Sequence, residues 1–332
     1  MIINKQLPLL LYISFIFNCA LFYDVNKQSE FGWTELMGAA ENGNLEEVKR
    51  LIGLGANINL KNVNGETALM FATKRRLAVV KYLVEQGADV NAKNNSGNAA
   101  ISYVHRLREN WHYNDENYLE MLEIAKYLIS KGADVKSVEH IYLHIGNLDM
   151  IKFLVEHGAN VNGIYQNGFS VLWNAATEKD ITIVKYLVEH GAEVDKKSGL
   201  ESTPLMHAIF NKDLKVMEYL IEKGANVNAK DEQGETTLIQ VAGYSLSNIS
   251  LEAAKILLKH KADINIKNSD GNTALMRAAS DKSNLELIKY LVKNKADVNI
   301  KNNDGNTALD IAAQKNNMEI VVFLMPLTNK KK

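Results

Sequence analysis

The sequence predicts an all-α repeat solenoid. Three observations predict it: a fragment that returns at a near-fixed interval, two helical patterns inside each interval, and a turn signal between intervals. The fragment reads GANIN at Gly55–Asn59, GADVN at Gly87–Asn91, GADVK at Gly132–Lys136 and GANVN at Gly158–Asn162. It continues as GAEVD at Gly191–Asp195, GANVN at Gly224–Asn228, KADIN at Lys261–Asn265 and KADVN at Lys295–Asn299. Successive starts differ by 32, 45, 26, 33, 33, 37 and 34 residues. A period of this length means stacked supersecondary units, each of which buries its apolar faces only against its neighbours.

In chain order, the first element is a leader at 1–20. Lys5 precedes the apolar run Leu7–Phe17, which Asn18-Cys19-Ala20 closes. A positive residue, about ten apolar ones and small residues after them have the build of a secretory signal. A membrane span wants roughly 20 apolar residues, so an uncleaved anchor must also take in Ala20–Tyr23. The competing reading is a buried segment capping the array. Cys19 is the single cysteine of the chain, so no internal disulfide forms. Its place resembles the modified cysteine of bacterial lipoproteins, which makes Cys19 the lipidation candidate; Phe17 and Asn18 depart from the small residues usual there. Cleavage after Ala20, or an inert thiol, stays open. Residues 21–28 then form a short tether.

The array follows at 29–327. Its unit is cleanest in Gly168–Asp195. Leu172, Ala175 and Ala176 keep helical spacing, Glu178–Asp180 break it, and Ile183, Val184, Leu187 and Val188 form a second amphipathic stripe. Gly191 stands where a left-handed residue caps the last turn. Lys267–Gly271 and Lys301–Gly305 end in Asp-Gly, a hairpin signature. The alanine pairs Ala39-Ala40, Ala175-Ala176, Ala278-Ala279 and Ala312-Ala313 let neighbouring units approach closely.

These residues resemble the ankyrin repeat, whose pattern is G-x-T-P-L-H-x-A, a second helix, then G-A-D-V-N. The match is read at Gly65–Met70, Glu201–Met206, Gly271–Met276 and Gly305–Asp310, with about nine units in all. The family's histidine is mostly Met here, and its proline survives only at Pro204. The resemblance implies a β-hairpin tip plus an antiparallel helix pair per repeat. It also implies a non-enzymatic scaffold that binds proteins through its concave tip and first-helix face. Carried over position by position, the contact set is Phe31, Trp33, Glu41, Asn42, Glu66, Lys74 and Arg75, then Asn167, Phe169, Thr177, Glu178, Phe210, Asn211, Gln233 and Glu235. Phe31, Trp33, Phe169 and Phe210 stand out, because a solvent-facing aromatic needs more explanation than a charge. For Trp33, capping of the open N-terminal end is the plain alternative.

Two units are irregular. Between Gly97 and Gly132 about a dozen residues are extra, Leu107–Tyr118, expected in the loop between the helices. Trp111, His112 and Tyr113 sit there among polar residues, the composition of a binding finger; Trp111 folding back to plug the array is the alternative. The next unit, 138–164, is short, with Val138–Ile145 expected as its first helix. His140 and His144 share a helix face there, but without a third ligand they read as structural rather than as a metal site. The pattern fades at Pro326, and 328–332 form a basic tail.

Net charge is −1, from Lys+Arg 38 against Asp+Glu 39, which offers no basic field for nucleic acid. No CxxC, HExxH, Gly-x-Ser-x-Gly or phosphate loop occurs. The expectation is a monomeric protein-binding array with no cofactor, no metal and no nucleic-acid partner. It touches a membrane only through its leader or a lipid. The array is exported or membrane-anchored, and cytoplasmic if the leader does not act. The alternative function is an envelope-tethered structural or accessory protein supporting an exported enzyme.

Overall fold

The computed structural model describes residues 23–74, 76–104, 116–136, 148–164, 168–177, 181–209, 214–244 and 247–328. The chain divides into two compact units, Met1–Val135 and Lys136–Lys332. The first holds α1 (Glu35–Asn42), α2 (Leu45–Gly53), α3 (Ala68–Ala72), α4 (Leu77–Glu85), a 3₁₀ turn (Ala100–Tyr103) and α5 (Glu116–Ser130). The second opens with α6 (Leu148–Glu156), α7 (Val171–Ala175), α8 (Ile181–Glu189), α9 (Pro204–Ala208) and α10 (Leu214–Glu222). It continues with α11 (Thr237–Gly243), α12 (Ser247–Lys259), α13 (Ala274–Ala279), α14 (Leu285–Lys293), α15 (Ala308–Gln314) and α16 (Met318–Thr328). A short helix is followed by a longer one, pair after pair. This is the all-α repeat solenoid that the sequence predicts.

Most short helices start where a hydroxyl takes an orphan N–H. Thr34 accepts from Met37 N–H at 3.2 Å, Ser170 from Trp173 N–H at 3.1 Å, and Thr273 from Met276 N–H at 3.4 Å. Each long helix buries its stripe: Val48 and Leu51 in α2, Ile183, Val184 and Leu187 in α8, Leu287, Ile288 and Leu291 in α14. Gly191, at φ 93, ends α8 in the left-handed region. It frees Ala192 N–H to bond Leu187 C=O at 2.9 Å. Lys261 and Lys295 hold the same conformation at φ 66 and 71 without glycine's freedom. Each therefore carries a strain of about 1 kcal/mol.

The alanine pairs pack as expected, with one exception. Ala39, Ala40, Ala175, Ala176, Ala278, Ala279 and Ala312 are buried. Ala313 is exposed, because no later helix pair among the described residues covers it.

The described tips are turns without regular strands. Among the described residues there is no strand, only an isolated bridge between Ile164 and Ser170. At a typical tip, Asn268 N–H bonds Asn272 C=O at 3.0 Å and Gly271 N–H bonds Asn268 C=O at 2.9 Å. Gly271 alone goes left-handed, at φ 79. A single left-handed residue closes a compact turn, whereas the two-residue hairpin read from Asp-Gly needs two. Neighbouring tips are joined by one backbone bond each, such as Asn303 N–H to Asp270 C=O at 2.9 Å. A Cβ on Gly271 would lie 2.8 Å from Asn303 N, so close approach demands glycine as much as φ does.

The last residue of the recurring fragment is the clamp between pairs. Asn162 donates to Gly191 C=O at 2.8 Å and accepts from Glu193 N–H at 2.7 Å. Asn59 treats Gly87 and Asp89 the same way, at 3.2 and 2.9 Å. Asn91 reaches Gly132 and Asp134, both at 2.8 Å, across the stretched repeat. Within 21–28, read as a tether, Asn26 already makes this clamp with Gly55 C=O at 3.3 Å and Asn57 N–H at 2.7 Å. Asp24-Val25-Asn26 is thus one more copy of the fragment's ending.

The irregular regions are seen in part. Of the extra residues 107–118, Glu116–Tyr118 belong to the N-terminal end of α5 rather than to a loop. The predicted helix Val138–Ile145 lies outside the described residues. The last helix runs through Pro326 to Thr328, beyond the point where the pattern fades. Proline withholds one N–H, and the carbonyl it leaves is that of Val322, a residue 69% exposed and open to water.

Candidate partner-binding surface

Two rows of side chains run along the tips and first helices. The residue just before each capping hydroxyl forms the tip row: Trp33 and Glu66 in the first unit, Phe169, Ser202 and Glu235 in the second. Four residues after the cap, the first helices carry Phe71 after Thr67, His207 after Thr203 and Arg277 after Thr273. A helical turn of 3.6 residues brings that position back to the face of the cap.

The rows meet across repeats. Trp33 lies on Phe71 of the next pair with ring centroids 4.4 Å apart. Tyr103 Oη donates to Glu66 Oε1 at 2.9 Å, and Arg277 Nη2 reaches Glu235 Oε1 at 3.3 Å. Burial would raise the Glu66 carboxyl; hydrogen bonds from Asn62, Tyr103 and Asn64 overcome it and hold the group below its ordinary range. Lys74 Nζ sits 5.1 Å above the Phe71 ring and 2.8 Å from Glu41 Oε1. The first unit thus presents a ring pair with an ammonium–carboxylate pair beside it.

In the second unit the rings form a deeper stack. Phe169 lies flat on Trp173 at 4.0 Å, and Trp173 lies on His207 of the next pair at 3.6 Å. Trp173 is only 9% exposed. Its Nε1 donates to Ser202 Oγ at 3.4 Å. Burial pushes the His207 imidazole down to about 4, so it is neutral at pH 7.

Of the residues that the sequence singled out, Phe31 stands on its tip 64% exposed, while Trp33 and Phe169 are half-buried against their ring partners. Phe31 C=O accepts from Val63 N–H at 3.1 Å, so exposed Val63 lies on the adjoining tip. Glu41, Asn42, Glu66, Lys74, Thr177, Gln233 and Glu235 fall among the described residues. Cys19, Arg75, Trp111, His112, Tyr113, His140, His144, Asn167, Glu178, Phe210 and Asn211 lie outside them. The reading from sequence missed Phe71, Tyr103, Trp173 and His207. Their register after the capping hydroxyl was the available signal. Among the described residues no His/Cys/Asp/Glu group could hold a metal ion, and no helix is long and apolar enough to cross a membrane.

The profile described as ankyrin repeats (3 copies) matches residues 5–94, 117–198, 140–231, 195–268 and 239–332. The chain belongs to the ankyrin repeat family. Comparison with curated proteins gives no match. The ankyrin matches pass over 95–116, which holds the 3₁₀ turn and most of the extra residues. The first begins at residue 5, inside the stretch read as a leader. Ankyrin repeats are generally protein-interaction modules.

Proposed function

We propose that this ankyrin array is a non-enzymatic scaffold that binds a partner protein through its tips and first helices. The observation that carries the reading is Phe31. It is a phenylalanine 64% exposed on a rigid, hydrogen-bonded tip, next to the Trp33–Phe71 pair. Exposed rings on a fixed scaffold give contact area with little side-chain ordering, the usual build of an interface anchor. In the second unit Phe169, at the position of Trp33, supplies a half-buried ring. Trp111, His112, Tyr113 and Phe210, outside the described residues, are further candidates from sequence. Ion pairs such as Lys74–Glu41 form its rim.

The test places a photocrosslinking phenylalanine analogue at Phe31, Phe169 and, as a control, Val84 on a second helix, in the native cell. The proposal expects protein captured from each tip site and not from Val84. Equal capture from Val84 sinks it.

A second reading, tethering to an envelope as an accessory to an exported enzyme, rests on the apolar run Leu7–Phe17 followed by Cys19. Against it stand the family match from residue 5 and the clamp at Asn26, which fit a capping segment of the array. The intact mass of the mature chain separates them. A start at Cys19 with lipid mass supports tethering, a start near Leu21 supports a free exported binder, and an uncleaved chain in the soluble fraction removes export.

A further inference from the structure

Asparagine followed by glycine is a labile pair. A glycine nitrogen, with no side chain beside it, reaches the asparagine side-chain carbonyl carbon unhindered. Three such pairs lie wholly among the described residues, and the fold treats them differently. Asn42 is the last residue of α1, and Gly43 N–H is held in that last turn by Ala40 C=O at 3.1 Å. Asn162 is a clamp: its Nδ2 donates to Gly191 C=O at 2.8 Å and its Oδ1 accepts from Glu193 N–H at 2.7 Å. Asn64 stands exposed on its tip, and the side-chain bond it makes is to Glu66, two residues on. Of the three, only Asn64 can bring its side-chain carbon to the next nitrogen without disturbing a helix or a joint between repeats. The backbone bond given up is the one from Gly65 N–H to Asn62 C=O, at 2.9 Å.

We propose that Asn64 is a modification site, where the chain converts its own side-chain amide into a carboxylate and, in part, into an isoaspartyl linkage. The Gly65 nitrogen yields its proton to base and attacks Asn64 Cγ. The N–Cγ bond forms, the Cγ–Nδ2 bond breaks, and the departing nitrogen takes up a proton and leaves as ammonia. Water then opens the imide ring at either carbonyl. Nothing is oxidised or reduced, and water is the one co-reactant. This inference does not rest on the partner-binding reading. The aspartyl product has precedents in the chain: Asp270 and Asp304 hold the same tip place before Gly271 and Gly305. Asp270 C=O still accepts from Asn303 N–H at 2.9 Å, so a carboxylate there leaves the joined tips intact. The isoaspartyl product does not. Its main chain runs through the side-chain carbons, and the Asn64 C=O that accepts from Asn95 N–H at 2.9 Å passes into a pendant carboxylate. The tip is then unlatched from its neighbour, and a new charge stands between exposed Val63 and Glu66.

The test holds the full chain folded at neutral and mildly alkaline pH in heavy-oxygen water, which labels each new carboxylate, and maps its peptides by mass. Label at Asn64 that accumulates faster as pH rises is the expected result. Asn42 and Asn162 should lag by about tenfold or more, because each must first open locally. In urea the three sites converge, since the dipeptide is the same. Equal rates at all three in the folded chain overturn the proposal. So does label at Asn64 no faster than at Asn59, which leucine follows. Asn64→Ser places at this tip the residue that Ser96 supplies at the next one, so it keeps the parent's melting behaviour. It should remove the isoaspartyl groups that an isoaspartyl methyltransferase counts in the first unit; an unchanged count also overturns the proposal. Hydrogen exchange at Asn95 N–H then separates the products. It should be about fivefold faster in the isoaspartyl fraction, the size of one lost hydrogen bond, and unchanged in Asn64→Asp. Equal exchange in the two overturns the unlatching of the tip.

Discussion

Trp33 and Trp173 occupy neighbouring positions of the same repeat pattern, one before the capping hydroxyl and one three residues after it, yet they do different work. Trp33 lies on one ring, Phe71, and is half-buried. Trp173 is held between Phe169 and His207 and keeps a donor bond to Ser202. The difference is not in the tryptophans but in their neighbours. Trp33 leans on the next first helix, while Trp173 meets a ring from its own tip and another from the next pair. The first arrangement leaves area for a partner; the second fills its own gap.

The largest effect that would break this comparison is on folding. Trp173→Ala removes a nearly buried indole and is expected to cost about 3–5 kcal/mol in urea melts of the second unit. Leu187→Ala, beneath the same pairs and fully buried, is expected to cost about 2–5 kcal/mol. Values under about 0.5 kcal/mol for both would deny them core positions. Trp33→Ala removes a half-buried ring and should cost about 1 kcal/mol; a cost equal to that of Trp173→Ala would erase the distinction.

A pH series sharpens the comparison further. Folding lowers the His207 proton affinity from 6.5 to about 4. Between those values the unfolded chain takes up a proton that the folded stack refuses. Stability therefore falls as pH drops from 6.5 toward 4, levels off below, and is unaffected by His207 above 6.5. His207→Gln should show a smaller loss over that window, and parallel curves would remove the imidazole from the account. The smallest folding effect is expected at Phe31→Ala, within about 0.5 kcal/mol of the parent. Its effect should appear in partner capture instead.

Much of this fold was legible because repetition averages out local ambiguity. The recurring five-residue fragment announced the period, and Leu172, Leu187 and Gly191 announced the two helices and their cap. What spacing alone did not convey was the reason for the asparagine. Asn162 uses its amide donor and its carbonyl on two backbone groups of the next repeat, a relation visible only once the repeats are stacked. At the tips Asp270-Gly271 has hairpin composition, while only Gly271 takes the left-handed conformation and no regular strand forms among the described residues. Phe31 was legible as an exposed ring. Trp173 and His207 were passed over because stacking across repeats brings together residues more than thirty positions apart in sequence.

The Asn91 clamp reaches 41 residues to Gly132, where its counterpart Asn59 reaches 28 to Gly87, yet both hold the same two groups. The joint between repeats is therefore indifferent to how much chain lies between the helices that it ties together. A guest sequence, such as a reporter epitope or a small folded module, grafted between Val104 and α5 is expected to leave the Asn91 clamp on Gly132 and Asp134 as it is.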